Sequence, residues 1–247
     1  MIKLFRSQPP TSLDKASVAT LTAEYIATGN SVWNRQSIKK FLLKYSNNKC
    51  AYCEENISTT SNYMEVEHFL PKVPYSHLVV EWNNLLPSCK RCNASKGTYD
   101  PAVHGVIINP ADTYPQRHLY FSNLTLRYRD DVGERMIRAC NLNSTDRLFL
   151  VRSELHAAMH HSLERTRSDM KAFLAGDTSF EKEQMIVRSV ASMLKSAGHE
   201  RPYAAFLATS LLSDPTYLWL RGELEKTGLW NKLDYLEQSA KSVELAP

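Results

Sequence analysis

No window of the 247 residues approaches the run of about 20 apolar side chains that a membrane-spanning helix needs. The opening stretch, Met1 to Pro10, has only Ile2, Leu4 and Phe5 as apolar material, interrupted by Lys3 and Arg6, which excludes a signal-peptide core and predicts a cytoplasmic protein. There is no internal repeat and no low-complexity tract, so neither a solenoid nor a disordered tail is expected. Strong charge of one sign is missing too: the net charge is +4. Cysteine is scarce, at five residues, and in a reducing compartment four clustered cysteines are expected to bind metal rather than to form disulfides.

What is present is a chain with 43% apolar residues, enough to bury a core in one large domain or two modest ones. Charge is uneven along it. Residues 1–150 hold 18 Lys/Arg against 13 Asp/Glu, and residues 151–247 hold 12 against 13, so the basic excess lies in the first part. That balance permits contact with nucleic acid without requiring it.

Apolar spacing predicts a helix over residues 12–28, with Ser12 as cap and Gly29 as stop, and a second over 36–45. Between residues 50 and 99 the pattern changes to strand, loop, strand and short helix: Tyr63–Glu67 and Trp82–Leu86 alternate as strands, and Cys89–Lys96 reads as a helix stopped at Gly97. Beyond Asn143 the chain is helical, with starts expected at Ser144, at Thr178 through a capping box with Glu181, at Pro202 and at Asp214-Pro215. The expected class is α+β, mainly helical, divided into an N-terminal helical segment (1–47), a core (48–143) and a C-terminal helical region (144–247).

Two Cys-x-x-Cys pairs, Cys50/Cys53 and Cys89/Cys92, each form a turn that presents two thiolates, and together they supply the four sulfurs of a closed tetrahedral zinc site. With no open coordination position, such a zinc is structural. Its formal charge of −2 is offset in sequence by Lys49, Lys90, Arg91 and Lys96. A zinc deaminase would need His-x-Glu and Pro-Cys-x-x-Cys, but here Glu67 precedes His68 and Ser88 separates Pro87 from Cys89. Cys140 and the histidines His77, His104, His118, His160 and His161 match no motif and are expected to be structural or surface residues.

Glu67-His68, then Asn84-Leu85, then Cys92-Asn93-x-x-Lys96, framed by the two cysteine pairs, resemble the HNH nuclease family. The resemblance implies a ββα-metal fold around the zinc knot. It also implies His68 as general base, Glu67 and Asn93 as ligands of Mg2+ or Mn2+, Asn84 bracing the histidine loop, and Lys72 and Lys96 contacting phosphate. The residue types suit hydrolysis of a phosphodiester, which needs a base for water and a divalent cation for the developing charge. Neighbouring residues on a strand point to opposite faces, so Glu67 and His68 share a site only where the strand ends or bends, and Glu65 points with Glu67.

Further segments, Val66-Glu67-His68-Phe69-Leu70-Pro71-Lys72, Trp82-Asn83-Asn84, Ile107-Ile108-Asn109-Pro110 and Gly133-Glu134-Arg135 leading to Asn141-Leu142-Asn143, resemble the PtuB group of HNH nucleases from Septu-type and retron-associated antiphage systems. The likeness departs at Leu70, where a basic residue is usual, and at Cys140. It implies a DNA endonuclease working with a PtuA-type ATPase, with the helical flanks as docking surfaces. Two alternatives are a stand-alone restriction or homing-type HNH nuclease and a non-catalytic zinc-containing DNA-binding adaptor.

Overall fold

In the computed structural model, which describes residues 1–60 and 62–247, the chain forms two compact units. One comprises Met1–Leu119 with Arg127–Leu142, the other Tyr120–Leu126 with Asn143–Pro247. No helix among the described residues is long and apolar enough to cross a membrane.

The first unit begins with an extended segment followed by α1 (Lys15–Thr28) and α2 (Gln36–Tyr45). Asp14 caps α1 by accepting from the Ser17 amide at 2.7 Å; the expected cap, Ser12, instead lies in a preceding 3-10 turn. An ionised carboxylate is a stronger acceptor than a hydroxyl at a helix N-terminus, where the dipole adds to the bond. Gly29 ends α1 in the left-handed region at φ 72°, as a glycine stop requires. After α2, Asn47 and Asn48 both take positive φ and turn the chain toward Cys50.

The only sheet ahead of residue 119 among the described residues is the antiparallel pair β1 (Met64–His68) and β2 (Leu85–Cys89), in the register Met64↔Cys89, Val66↔Pro87, His68↔Leu85. Every residue of β2 is buried. The strand expected at Trp82–Leu86 therefore starts later. Trp82–Asn84 form a 3-10 turn because Arg6 reaches in from the N-terminal segment and donates to the carbonyls of Trp82, Asn83 and Leu85 at 2.8, 2.7 and 2.9 Å. Helix α3 (Lys90–Lys96) follows β2 directly and lies against both strands. Ile38, Leu42, Tyr52, Ile57, Val79, Leu85 and Leu86 form the core around this strand pair and helix, each essentially inaccessible.

Past the short helix α4 (Pro101–His104), the hairpin β3 (Leu119–Ser122) and β4 (Thr125–Tyr128) leads to α5 (Asp131–Ala139). A side chain at Gly133 would collide with the His118 carbonyl, so the Gly-Glu-Arg segment needs its glycine for close approach rather than for chemistry.

The second unit is helical: α6 (Leu150–Leu174), α7 (Phe180–Ser196), α8 (Ala204–Leu212), α9 (Pro215–Lys226) and α10 (Asp234–Lys241). Ser144 caps a π-turn, Thr145–Phe149, that precedes α6. Ser179 rather than Thr178 caps α7, accepting from the Lys182 amide. Asp214 caps α9 with Pro215 in its first turn, as expected. The start expected at Pro202 falls two residues later, because Tyr203 takes a left-handed conformation at φ 55° and delays α8.

Candidate active site

The four cysteines of the two pairs are buried, and their sulfurs all lie within 4.8 Å of one another. Cys53 and Cys89 Sγ are 3.8 Å apart, which is the edge of a tetrahedron with Zn–S bonds of about 2.3 Å, roughly 3.8 Å. The cage is therefore shaped for a zinc-like ion. Each pair arises locally. Cys50–Cys53 is a tight turn closed by Glu54 N donating to Cys50 O at 3.0 Å, while Cys89 ends β2 and caps α3 with its sulfur, accepting from Cys92 N at 3.4 Å. Burial pushes the Cys50 thiol up, but hydrogen bonds from the other three sulfurs outweigh it and hold Cys50 well below the usual thiol range. Sharing with Cys50 pushes Cys92 well above that range. Without a cation the cage cannot ionise fully, and a divalent ion removes that conflict.

Beyond the cage, β1 divides its side chains between two faces. Glu65 and Glu67 face α3 at matching steps: Asn93 donates from Nδ2 to Glu65 Oε2 at 2.7 Å, and Lys96 Nζ lies 2.7 Å from Glu67 Oε1. Asn93 and Lys96 are about 4.5 Å apart along the helix axis and Glu65 and Glu67 about 6.6 Å apart along the strand, a difference that the long lysine and glutamate side chains span. Glu67, expected to hold a cation, is only 2% exposed and also accepts from the Tyr52 hydroxyl at 3.2 Å. Burial raises its pKa despite the pull of Lys96. Lys96, expected to contact phosphate, is buried as well, and also donates to the His68 carbonyl at 2.9 Å. Its ammonium neutralises Glu67 and ties the end of β1 to α3.

His68 takes the opposite face. Its Nε2 lies 2.8 Å from the Val79 carbonyl. Because a carbonyl only accepts, Nε2 carries the proton and Nδ1 keeps the lone pair. Burial lowers the His68 pKa to about 4, against the opposing effect of the Val79 bond, so the imidazole is neutral near pH 7. Asn84 fixes the intervening loop at two points, accepting from Leu70 N at 2.7 Å and donating to the carbonyls of Leu70 and Leu78 at 3.1 and 3.2 Å. Leu70 thus contributes backbone to this brace.

Trp33, which sequence patterning alone did not single out, meets the His68 ring edge-on, with centroids 4.8 Å apart. Lys72 Nζ sits 4.8 Å over the indole. A lone tryptophan in a turn between helices carries no motif, and only the folded chain brings it to the histidine. The other histidines stay apart: His118 pairs with Asp130 at 2.6 Å, His104 lies beside the Asp100 backbone, and His160 and His161 are exposed. Cys140 is fully buried, and burial raises its thiol pKa far above the ordinary range.

Residues 50–98 match the sequence model of the HNH endonuclease family. A Septu protein PtuB of Bacillus thuringiensis is 38% identical over 232 residues, covering 94% of this chain and 90% of that protein. A second Septu protein PtuB, of Bacillus mycoides strain KBAB4, is 27% identical over 224 residues, covering 72% of this chain and 74% of its own length. No solved structure matches.

Proposed function

The chain belongs to the PtuB family of Septu proteins, and we propose that it is a metal-dependent DNA endonuclease that acts in the cytoplasm as the nuclease of an antiphage system with an ATPase partner. The observation that carries this reading is the neutral imidazole of His68, held by the Val79 carbonyl with Nδ1 left to take a proton. In the proposed reaction Nδ1 accepts a proton from the water that attacks phosphorus, the P–O3′ bond breaks, and the leaving 3′ oxygen takes a proton from solvent water, giving 5′-phosphate and 3′-hydroxyl ends. Lys72 contacts phosphate, and Asn84 keeps the loop between His68 and Val79 in place. The cysteine cage holds structural zinc.

A catalytic Mg2+ or Mn2+, when bound, would neutralise charge building on the phosphate. The side chains suited to it are hard oxygen donors from β1 and α3. Glu65 already touches Asn93, whereas Glu67 is committed to Lys96 and Tyr52, so contact favours Glu65 with Asn93 as its ligands; because His68 projects from the other face of β1, such a cation would share a phosphate with the imidazole only round the end of the strand at His68. Incubation of plasmid DNA with purified protein and Mg2+, with and without the ATPase, tests the function. Glu65→Gln should abolish cleavage while leaving the melting temperature unchanged. Glu67→Gln should instead lower stability by about 3–5 kcal/mol, because it leaves the Lys96 charge buried without a counter-ion. A stable, inactive Glu67→Gln protein would transfer the ligand role to Glu67.

The pH dependence follows from the same ring. A histidine with its pKa near 4 remains a base through the range where an ordinary histidine, with pKa about 6.5, protonates. The cleavage rate constant should therefore stay level as pH falls from about 7.5 to about 5.5. A tenfold drop centred near 6.5 would contradict the assignment.

A further inference from the structure

Trp33 lies outside the segment that matches the HNH family, in a turn closed by Arg35 N donating to Trp33 O at 2.8 Å and Val32 N donating to Asn30 O at 2.8 Å. Val32 is buried and pins the turn, leaving the indole half-exposed beside the base. Its three neighbours are specific. Tyr25 from α1 packs against it edge-on at 5.7 Å, its contact with His68 is nearly perpendicular at 86°, and its face carries the Lys72 ammonium. Among the described residues no carboxylate forms an ion pair with Lys72, which feels Glu67 only as a longer-range attraction, so the indole face is the contact that holds its ammonium.

We propose that Trp33 is a positioning residue for DNA cleavage, holding Lys72 ready for the scissile phosphate and fixing the plane of the His68 imidazole. The proposal rests on the nuclease reading above. A cation over an aromatic face is bound more weakly than one paired with phosphate, so an arriving phosphate draws Lys72 off the indole from a position already beside the base. The edge contact restrains the ring in the direction that the Val79 bond leaves free. One aromatic side chain thereby couples substrate grip to base alignment.

The two roles separate in steady-state cleavage of a short DNA duplex with Mg2+. Trp33→Leu keeps apolar bulk but has no π face, and should raise KM about 3- to 10-fold and lower kcat about 10- to 100-fold. Trp33→Phe keeps a face and an edge and should stay within about threefold of wild type in both. Lys72→Ala should raise KM, and adding Trp33→Leu to it should raise KM no further while kcat still falls. Wild-type kinetics in Trp33→Leu would overturn the proposal. So would multiplying KM effects in the double variant, or a Phe variant as impaired as the Leu variant with a lowered melting temperature. If the leucine protein does not fold, Lys72→Ala decides, and an unchanged KM overturns the proposal. A wild type that leaves DNA intact with every divalent cation sinks the nuclease reading itself, an outcome distinct from variants that cut like wild type.

Discussion

Replacement of His68 by alanine is expected to slow DNA cleavage by about 10²- to 10⁴-fold, the range lost when a positioned acid–base group is removed. Metal content should be unaffected, because the cage is built from the sulfurs of Cys50, Cys53, Cys89 and Cys92 and not from the imidazole. The variant will be somewhat less stable, since the Val79 carbonyl loses its buried donor at about 1–3 kcal/mol. His68→Gln separates the two effects: it can still donate to a carbonyl but cannot serve as a base near neutral pH. Rate constants measured beside thermal melts and zinc content settle the assignment. Undiminished cleavage by either variant would remove His68 from the chemistry.

The second large effect concerns the cage. Changing Cys53 or Cys89 to serine, or stripping the metal with a chelator, should unfold the first unit, because structural zinc in modules of this kind contributes on the order of 10 kcal/mol, comparable with the whole stability of a domain. The elements that carry the proposed base and the proposed cation ligands hang from this cage. Cys89 ends β2 and starts α3, and Ala51 beside Cys50 donates to the Pro87 carbonyl of β2 at 2.8 Å. Circular dichroism and limited proteolysis of the serine variants would show the loss, and retention of native melting would mean that the cage is dispensable. His68 and cysteine replacements are therefore expected to differ in kind: one should remove turnover at modest cost in stability, and the other should remove the fold.

Much of the fold around the cage was legible in residue order because its motifs are built on short spacings. The paired cysteines, Glu67-His68, Asn84 and Asn93 could be read directly, and the strands and helix that carry them lie within a few residues of their expected limits. Asn84, expected to brace the histidine loop, makes three bonds to the backbone of Leu70 and Leu78. Less legible were contacts between residues far apart in sequence. Arg6 shapes the turn holding Asn84 from 76 or more positions away, and Trp33 reaches His68 from the turn between α1 and α2. Lys96 was expected, by resemblance to the family, to contact phosphate. Only the packing of α3 on β1 shows that its ammonium is spent inside on Glu67. The hairpin and α5 were missed because their strands are four residues each, too short for alternation to declare itself.

The two-stranded pairing has a further consequence. Glu67 and His68 are adjacent, so a slip of β1 by a single residue would bring the carboxylate to Trp33 and Val79 and send the imidazole toward Lys96. A large sheet resists such slippage through many neighbouring strands, but β1 has β2 alone. The pairing is anchored instead at its ends, by Cys89 in the sulfur cage opposite Met64 and by Asn84, whose carbonyl accepts from Phe69 N at 2.9 Å just past His68. The sulfur cage and the asparagine thus act as two pins on a five-residue ruler, and whether a carboxylate or an imidazole faces Trp33 and Val79 depends on that ruler being read in only one way.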